Sequence, residues 1–254
     1  MAENLLDFTG KTALITGGAT GIGRATARVF GQQGANVVVA DVASEAEETV
    51  DLIVQDGGTA TFVETDVTDS DSVKNAVATA VNTYGGLDVA FNNAGVSAPD
   101  ASVPDMDEEA FDKVSAVNLK GVFLALKHEV GYMKDNGGGA IVNTASIAGL
   151  IGNYNMSPYV ASKHGVIGLT KATALEFADQ NVRVNAVAPG LVATPMTQEW
   201  LDDPETRDKV IGDTPIGRAA EPEENGQVAL YLASPLASFV TGTVLPVDGG
   251  QTAQ

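Results

Sequence analysis

The chain has 254 residues, 44% of them apolar and 19% charged, so it can bury a core and is not a disordered chain. Its 14 basic and 33 acidic side chains leave a formal net charge of −19, with no basic stretch to neutralise nucleic acid phosphates or to bind an anionic membrane. There is no Cys, so disulfides and thiolate metal sites are excluded.

The acidity reads first as a solubility feature. A sharper reading is adaptation to a salt-rich environment, where surface carboxylates are screened from one another. Met1-Ala2-Glu3-Asn4 is acidic and lacks the basic flank of a signal peptide. Apolar runs are interrupted well before a membrane-spanning length. The expectation is a cytoplasmic protein with no nucleic acid and no membrane as partner.

Short β-rich runs alternate with helical patterns along the chain. Thr12–Thr16 reads as a strand and Gly21–Gln33 as a helix. Asn36–Ala40 is a continuous apolar run suited to a strand buried on both faces. Ser44–Gln55 is helical, with acidic residues in its first turns that suit the helix dipole. Thr59–Glu64 is a strand, and Ser70–Thr83 a helix capped by Asp69 or Ser70. Leu87–Asn92 is a strand. Asp107–Lys134 reads as one long helix bent near Gly121. Ala140–Thr144 is a strand, Tyr159–Ala178 a helix, Val182–Val187 a strand, Pro222–Leu232 a helix and Thr243–Val247 a last strand. Such alternation with short connections predicts an α/β domain, a parallel sheet with helices on both faces. No linker divides the chain, so residues 1–254 read as one domain. The polar stretch Thr194–Arg218 holds the only Trp, Trp200, with Pro204 and Pro215, and reads as an active-site lid or an ordinary pair of surface helices.

Thr16-Gly17-Gly18-Ala19-Thr20-Gly21-Ile22-Gly23 joins the first strand to the first helix. Gly17, Gly21 and Gly23 allow a tight turn, and the helix N-terminus offers backbone N–H groups to a pyrophosphate. Asp41 ends the second strand, 18 residues after Gly23. A carboxylate there can accept both adenosine ribose hydroxyls of NAD and would repel the 2′-phosphate of NADP. Thr20 adds no basic group. Asp41 can instead cap the next helix. Asp66 and Val67 follow the third strand, with Asp66 able to bond adenine. Asn93, Ala94 and Gly95, after Asn92, can line the ribose with backbone.

Tyr159 and Lys163 are four residues apart on a predicted helix and share a face. A nearby ammonium would lower the tyrosine pKa towards that of a useful base. Ser146 follows the fifth strand and can hold a carbonyl or alcohol oxygen. His128 and His164 lack metal-ligand company, so no metal is expected. Asp88 reads as a support for the sheet end.

In order along the chain, Thr16–Gly23, Asn92–Gly95 and Tyr159–Lys163 resemble the motifs of the short-chain dehydrogenase/reductase family. Pro189-Gly190 and Val247–Gly250 extend the resemblance over essentially the whole chain. It implies a doubly wound, Rossmann-like α/β/α sandwich with seven parallel strands in the order 3-2-1-4-5-6-7. It also implies a catalytic tetrad of Asn118, Ser146, Tyr159 and Lys163. Tyr159 would exchange the alcohol proton, Ser146 orient the oxygen, and Lys163 bind the nicotinamide ribose. Asn118 would hold a relay water, while Pro189, Gly190, Val192 and Thr194 would reach the nicotinamide side. Family members are commonly homotetramers, joined by the long helix with Tyr159–Ala178 and by the end near Thr241–Gly250.

Ile147, Ala148, Asn153, Tyr154, Met156, Met196 and Trp200 are the candidate substrate contacts. No Arg or Lys lies between Asn143 and Pro158. That favours a neutral, moderately apolar secondary alcohol or ketone as substrate, with NAD as cofactor. Alternatives are a 3-oxoacyl-acyl-carrier-protein reductase, a glucose 1-dehydrogenase-like enzyme, or a non-catalytic NAD-binding regulator.

Overall fold

Runs of β-branched and small apolar residues form the strands, because a parallel strand covered on both faces has no polar side to present. β1 (Thr12–Thr16) and β2 (Asn36–Asp41) are almost wholly buried. With β3 (Thr59–Glu64), β4 (Val89–Asn92), β5 (Gly139–Thr144), β6 (Val182–Pro189) and β7 (Val244–Val247) they make one parallel sheet. Its order is β3-β2-β1-β4-β5-β6-β7, as the family resemblance implies. The computed structural model describes residues 5–253; the acidic Met1–Asn4 stretch read above and Gln254 lie outside the described residues.

Leu14 of β1 pairs with Val38 of β2 on one side and Ala90 of β4 on the other. The helices are α1 (Gly21–Gln32), α2 (Ala46–Gln55), α3 (Ser70–Tyr84), α4 (Glu108–Ser115), α5 (Gly121–Met133), α6 (Ser157–Phe177), α7 (Gln198–Asp202), α8 (Pro204–Gly212) and α9 (Pro222–Ala233). One core layer packs Ala27 and Phe30 of α1 and Ile53 of α2 with Leu230 and Leu232 of α9. The opposite layer packs Val77 of α3 and Leu126 and Met133 of α5 with Val166 of α6. Asp69 caps α3, accepting from the Asp71 amide at 3.0 Å.

The long helix expected over Asp107–Lys134 is divided. A π-helical turn, Ala116–Lys120, separates α4 from α5 and ends at Gly121, where the sequence suggested a bend. Gly121 is needed there because a Cβ would stand 2.9 Å from Val67 Cγ2. Asp88 accepts from the Thr12 amide and Lys11 Nζ, each at 2.9 Å, and so supports the sheet end as expected. His128 bonds Ser70 at 2.9 Å and His164 bonds the Val160 carbonyl at 2.9 Å. Among the described residues no helix is long and apolar enough to cross a membrane.

The ion pairs of the described residues are few and stand at the surface, such as Arg28–Asp56 at 2.9 Å. With a net charge of −19, mutual carboxylate repulsion opposes the compact state and is weakened by salt. Thermal melting across a sodium chloride series should therefore show a rising midpoint, each 1 kcal/mol of relief adding about 2–4 °C. A flat response would show that the acidity is only a solubility feature.

Candidate active site

The C-terminal ends of β1, β4, β5 and β6 deliver the candidate residues to one edge of the sheet, where strand order reverses around β1. The first wall is the Gly17–Gly23 turn. Gly17 and Gly21 adopt φ of 65° and 52°, values that favour glycine. A Cβ on Gly17 would lie 2.8 Å from Ala94 Cα, and one on Gly23 would lie 1.9 Å from the Gly17 carbonyl oxygen. Three backbone segments thus meet without room for side chains.

Thr16 fastens this junction. Its Oγ1 accepts from the amides of Asn93, at 3.0 Å, and Ala94, at 3.2 Å. Asn93 Nδ2 also donates to the Gly17 carbonyl at 3.2 Å. Thr20, the N-cap of α1, makes no side-chain cap, and the first turn of α1, including Ile22, carries no acidic residue. The amides there are left to an incoming anion. Uncapped donors and an open backbone cradle fit the pyrophosphate of a dinucleotide.

Asp41 stands at the end of β2 beside this turn. Its oxygens accept from the amides of Ala19 and Ala43, each at 3.0 Å. It does not cap α2, whose N-cap is Glu45. Asp66 is exposed, its Oδ1 accepting from the amide and hydroxyl of Thr68 at 2.8 Å. Val67 points inward and packs with Val73 and Leu124, which leaves only its backbone to face the cleft. The Asn92 side chain also turns into the core, away from the cradle.

Lys163, on α6, is 4% exposed and donates to the Thr144 carbonyl at 2.8 Å. Its ammonium lies 5.5 Å from the Tyr159 ring centroid. Burial pulls the Lys163 pKa down to about 8. Tyr159 differs from expectation. Burial pushes its pKa up, and the Ser146 hydroxyl beside it acts in the lowering direction. The depressed phenol pKa expected from the spacing is not found in the free protein, where burial dominates and Lys163 donates to the β5 end.

Ser146 Oγ accepts from the Ala148 amide at 3.1 Å, which leaves its proton free to donate. Asn118 is fully buried in the π-helical turn. Its carboxamide clamps Val96, accepting from the amide at 2.8 Å and donating to the carbonyl at 2.9 Å. Its Oδ1 lies 3.4 Å from where a Cβ on Gly95 would sit, and Lys163 Nζ lies 3.8 Å from the same point. Asn118, Gly95 and Lys163 are therefore neighbours.

Beyond β6, Gly190 packs on Asp248, where a Cβ would come within 2.9 Å of the Asp248 Cα. Val192 is buried and forms an isolated parallel bridge with Ala220. The bridge closes the stem of the 194–218 excursion, which contains α7 and α8. Thr194 touches the glycine turn, its Cγ2 3.2 Å from a Cβ built on Gly21. The expected substrate contacts divide. Ala148 is buried, whereas Ile147 and Met156 are half-buried. Met196 and Trp200 are exposed on the excursion, and Tyr154 is 94% exposed. Asn153 Nδ2 reaches Met156 Sδ at 3.4 Å. Ala148 thus serves Ser146 through its amide, and Tyr154 is turned to solvent. Thr144 and Val96 are site residues that the sequence did not single out, and Thr16 stands in it only as the end of the first strand and the first residue of the glycine motif, with no role of its own.

A family model described as Enoyl-(Acyl carrier protein) reductase matches residues 17–252. The cyclohexanol dehydrogenase of Acinetobacter sp. (strain SE19) is 47% identical over 248 residues, covering 97% of each chain. The 3-oxoacyl-[acyl-carrier-protein] reductase of Thermotoga maritima is 44% identical over 245 residues, covering 95% of this chain and 97% of its own. A solved structure from Agrobacterium tumefaciens, described as a candidate 2-deoxy-d-gluconate 3-dehydrogenase with bound NADP, has a TM-score of 0.93 at 35% identity and covers 99% of this chain and 100% of its own. The chain belongs to the short-chain dehydrogenase/reductase family.

Gly23→Ala should force the glycine turn apart. The expected cost is about 1–3 kcal/mol of stability, read by thermal melting, together with loss of NADH binding in a fluorescence titration. Unchanged binding would show that the turn is not the cofactor cradle.

Proposed function

We propose that the protein is an NAD-dependent oxidoreductase that interconverts a neutral secondary alcohol and its ketone. The observation that carries this is the meeting of Asn118 and Lys163 at Gly95, one residue beyond the Ala94 that closes the glycine turn, with Tyr159 beside both Lys163 and Ser146. A bound nicotinamide dinucleotide supplies or accepts the hydride. Tyr159 Oη takes the alcohol proton in oxidation and returns it in reduction. Ser146 Oγ donates to the substrate oxygen and orients it. Lys163 keeps donors beyond the one given to Thr144, enough to hold ribose hydroxyls. Asn118 fixes the loop at Val96 and supports the proton path from Lys163. A cationic Lys163 near the cofactor would favour the phenolate as oxidation proceeds.

Asp41 supports NAD over NADP, because its carboxylate would repel a 2′-phosphate. The absence of Arg and Lys from Asn143 to Pro158 supports an uncharged substrate, and the cyclohexanol dehydrogenase relative supports a cyclic alcohol. Residues 194–218 would act as the lid of a single-domain enzyme, pivoting on the Val192–Ala220 bridge. Phe111, Phe123 and Phe239 are exposed large apolar side chains of the kind a homotetramer would cover. A cytoplasmic enzyme fits this reading.

Turnover should be assayed with NAD and NADP side by side against cyclic and open-chain secondary alcohols. NAD with neutral alcohols is the expected pair. Activity confined to NADP, or to acids and acyl thioesters, would replace this reading with the carrier-protein reductase one. Tyr159→Phe should lose nearly all turnover, at least about a hundredfold, while retaining NADH binding. Retained turnover would sink the assignment of Tyr159.

A further inference from the structure

Glu129 of α5 is 1% exposed and lies in the core layer between α5 and the sheet. Its Oε2 accepts from Asn92 Nδ2 at 2.9 Å, and the same Nδ2 donates to Asn143 Oδ1 at 3.0 Å. Asn143 Nδ2 in turn donates to Thr170 Oγ1 at 3.0 Å, and Thr170 donates to the Val166 carbonyl at 2.8 Å. One buried chain of polar groups therefore joins α5, β4, β5 and α6.

The chain ends where the site begins. Asn92 is followed by Asn93 and Ala94, whose amides Thr16 holds. Asn143 is followed by Thr144, whose carbonyl holds Lys163. Glu129 Oε1 and Asn92 Oδ1 are both buried and have no partner. An extra proton suits such a site, because a carboxylic acid carries a donor where a carboxylate offers only acceptors.

We propose that Glu129, as an uncharged acid, is a positioning residue that sets the ends of β4 and β5, and through them the cofactor cradle and the Lys163 anchor. The inference rests on the functional reading above for the roles of those two parts. Burial agrees with it, pushing the Glu129 pKa up to about 7, with the Asn92 bond opposing. The titratable and charged groups of the packed elements are engaged elsewhere or lie at the surface. Lys163 of α6 bonds Thr144, and Tyr159 meets Ser146. His128 bonds Ser70, with Asp71 and Lys74 of α3 and Lys127 of α5 around it. Burial pushes the Tyr84 phenol of α3 up, Tyr132 of α5 is half-buried, and Lys120 of the π-helical turn is exposed. β4 and β5 carry no titratable side chain within Val89–Asn92 and Gly139–Thr144.

The sign follows from linkage. A folded pKa of about 7 against an ordinary 4.5 means that the acid's contribution is full below about 4.5 and is lost as pH rises through about 7. Glutamine keeps an acceptor for Asn92 and adds a permanent donor; methionine keeps the bulk but offers no donor and only a weak acceptor.

The test measures NADH dissociation constants and kcat for the wild type, Glu129→Gln and Glu129→Met from pH 5.5 to 8.5, with circular dichroism to verify folding. Wild-type affinity should weaken towards pH 8.5 relative to Glu129→Gln, which should stay within about twofold of wild type at pH 6. Glu129→Met should bind NADH about tenfold more weakly, the scale of one orphaned buried group, and turn over more slowly. Parallel pH profiles for wild type and Glu129→Gln would overturn the proposal, as would a glutamine variant as impaired as the methionine one, or a folded methionine variant equal to wild type. If Glu129→Met does not fold, the glutamine comparison decides alone. A wild type that binds no nicotinamide cofactor would overturn the functional reading itself, which is a distinct result.

Discussion

Parallel pairing of β1 with both β2 and β4 is the constraint on which the rest of the molecule depends. Chain order reverses on the two sides of β1, so the connection leaving β1 runs to one side and the one leaving β4 to the other. A crevice opens between them that no helix can fill. The glycine turn and the Asn93–Gly95 segment both enter it, and their backbones touch because Gly17 and Gly23 leave no side chain in the way. The end of β5 brings Ser146, the first two turns of α6 bring Tyr159 and Lys163, and the π-helical turn brings Asn118.

The same arrangement creates a difficulty at the core end. Strands buried on both faces cannot satisfy polar side chains with water, yet buried Asn92 ends β4 and buried Asn143 is the last residue but one of β5. The protein meets this with a network, Glu129–Asn92–Asn143–Thr170, rather than with apolar residues. Such a network costs stability if any member is left unpaired and gives directional control of the strand ends if all are satisfied. The site is thus held at two points, by Thr16 at the end of β1 and by Glu129 from α5.

Tyr159 and Lys163 show how local spacing and tertiary environment divide the work. Their i, i+4 spacing puts them on one face of α6, and Lys163 does approach the Tyr159 ring. What the ammonium does is decided by the carbonyl of Thr144, a neighbour that no helical pattern reveals. In the free protein Tyr159 stays a half-buried phenol with a raised pKa. Substrate and cofactor binding must supply the rest of its activation in the proposed mechanism.

Local chemistry was enough for much of this protein. Apolar runs defined the strands to within two residues or so, because parallel strands buried on both faces leave an unbroken signature. Glycines at 17, 21 and 23 marked the phosphate turn, since only a missing Cβ permits it. The strand order and the tetrad came from motif resemblance rather than from pattern. Tertiary structure alone decided where polar side chains point. It turned Asn92 inward to Glu129, buried Ala148, exposed Tyr154, and replaced a bend with a π-helical turn that aims Asn118 at Val96. A residue type states which hydrogen bonds it can make; only packing fixes which partners come within reach.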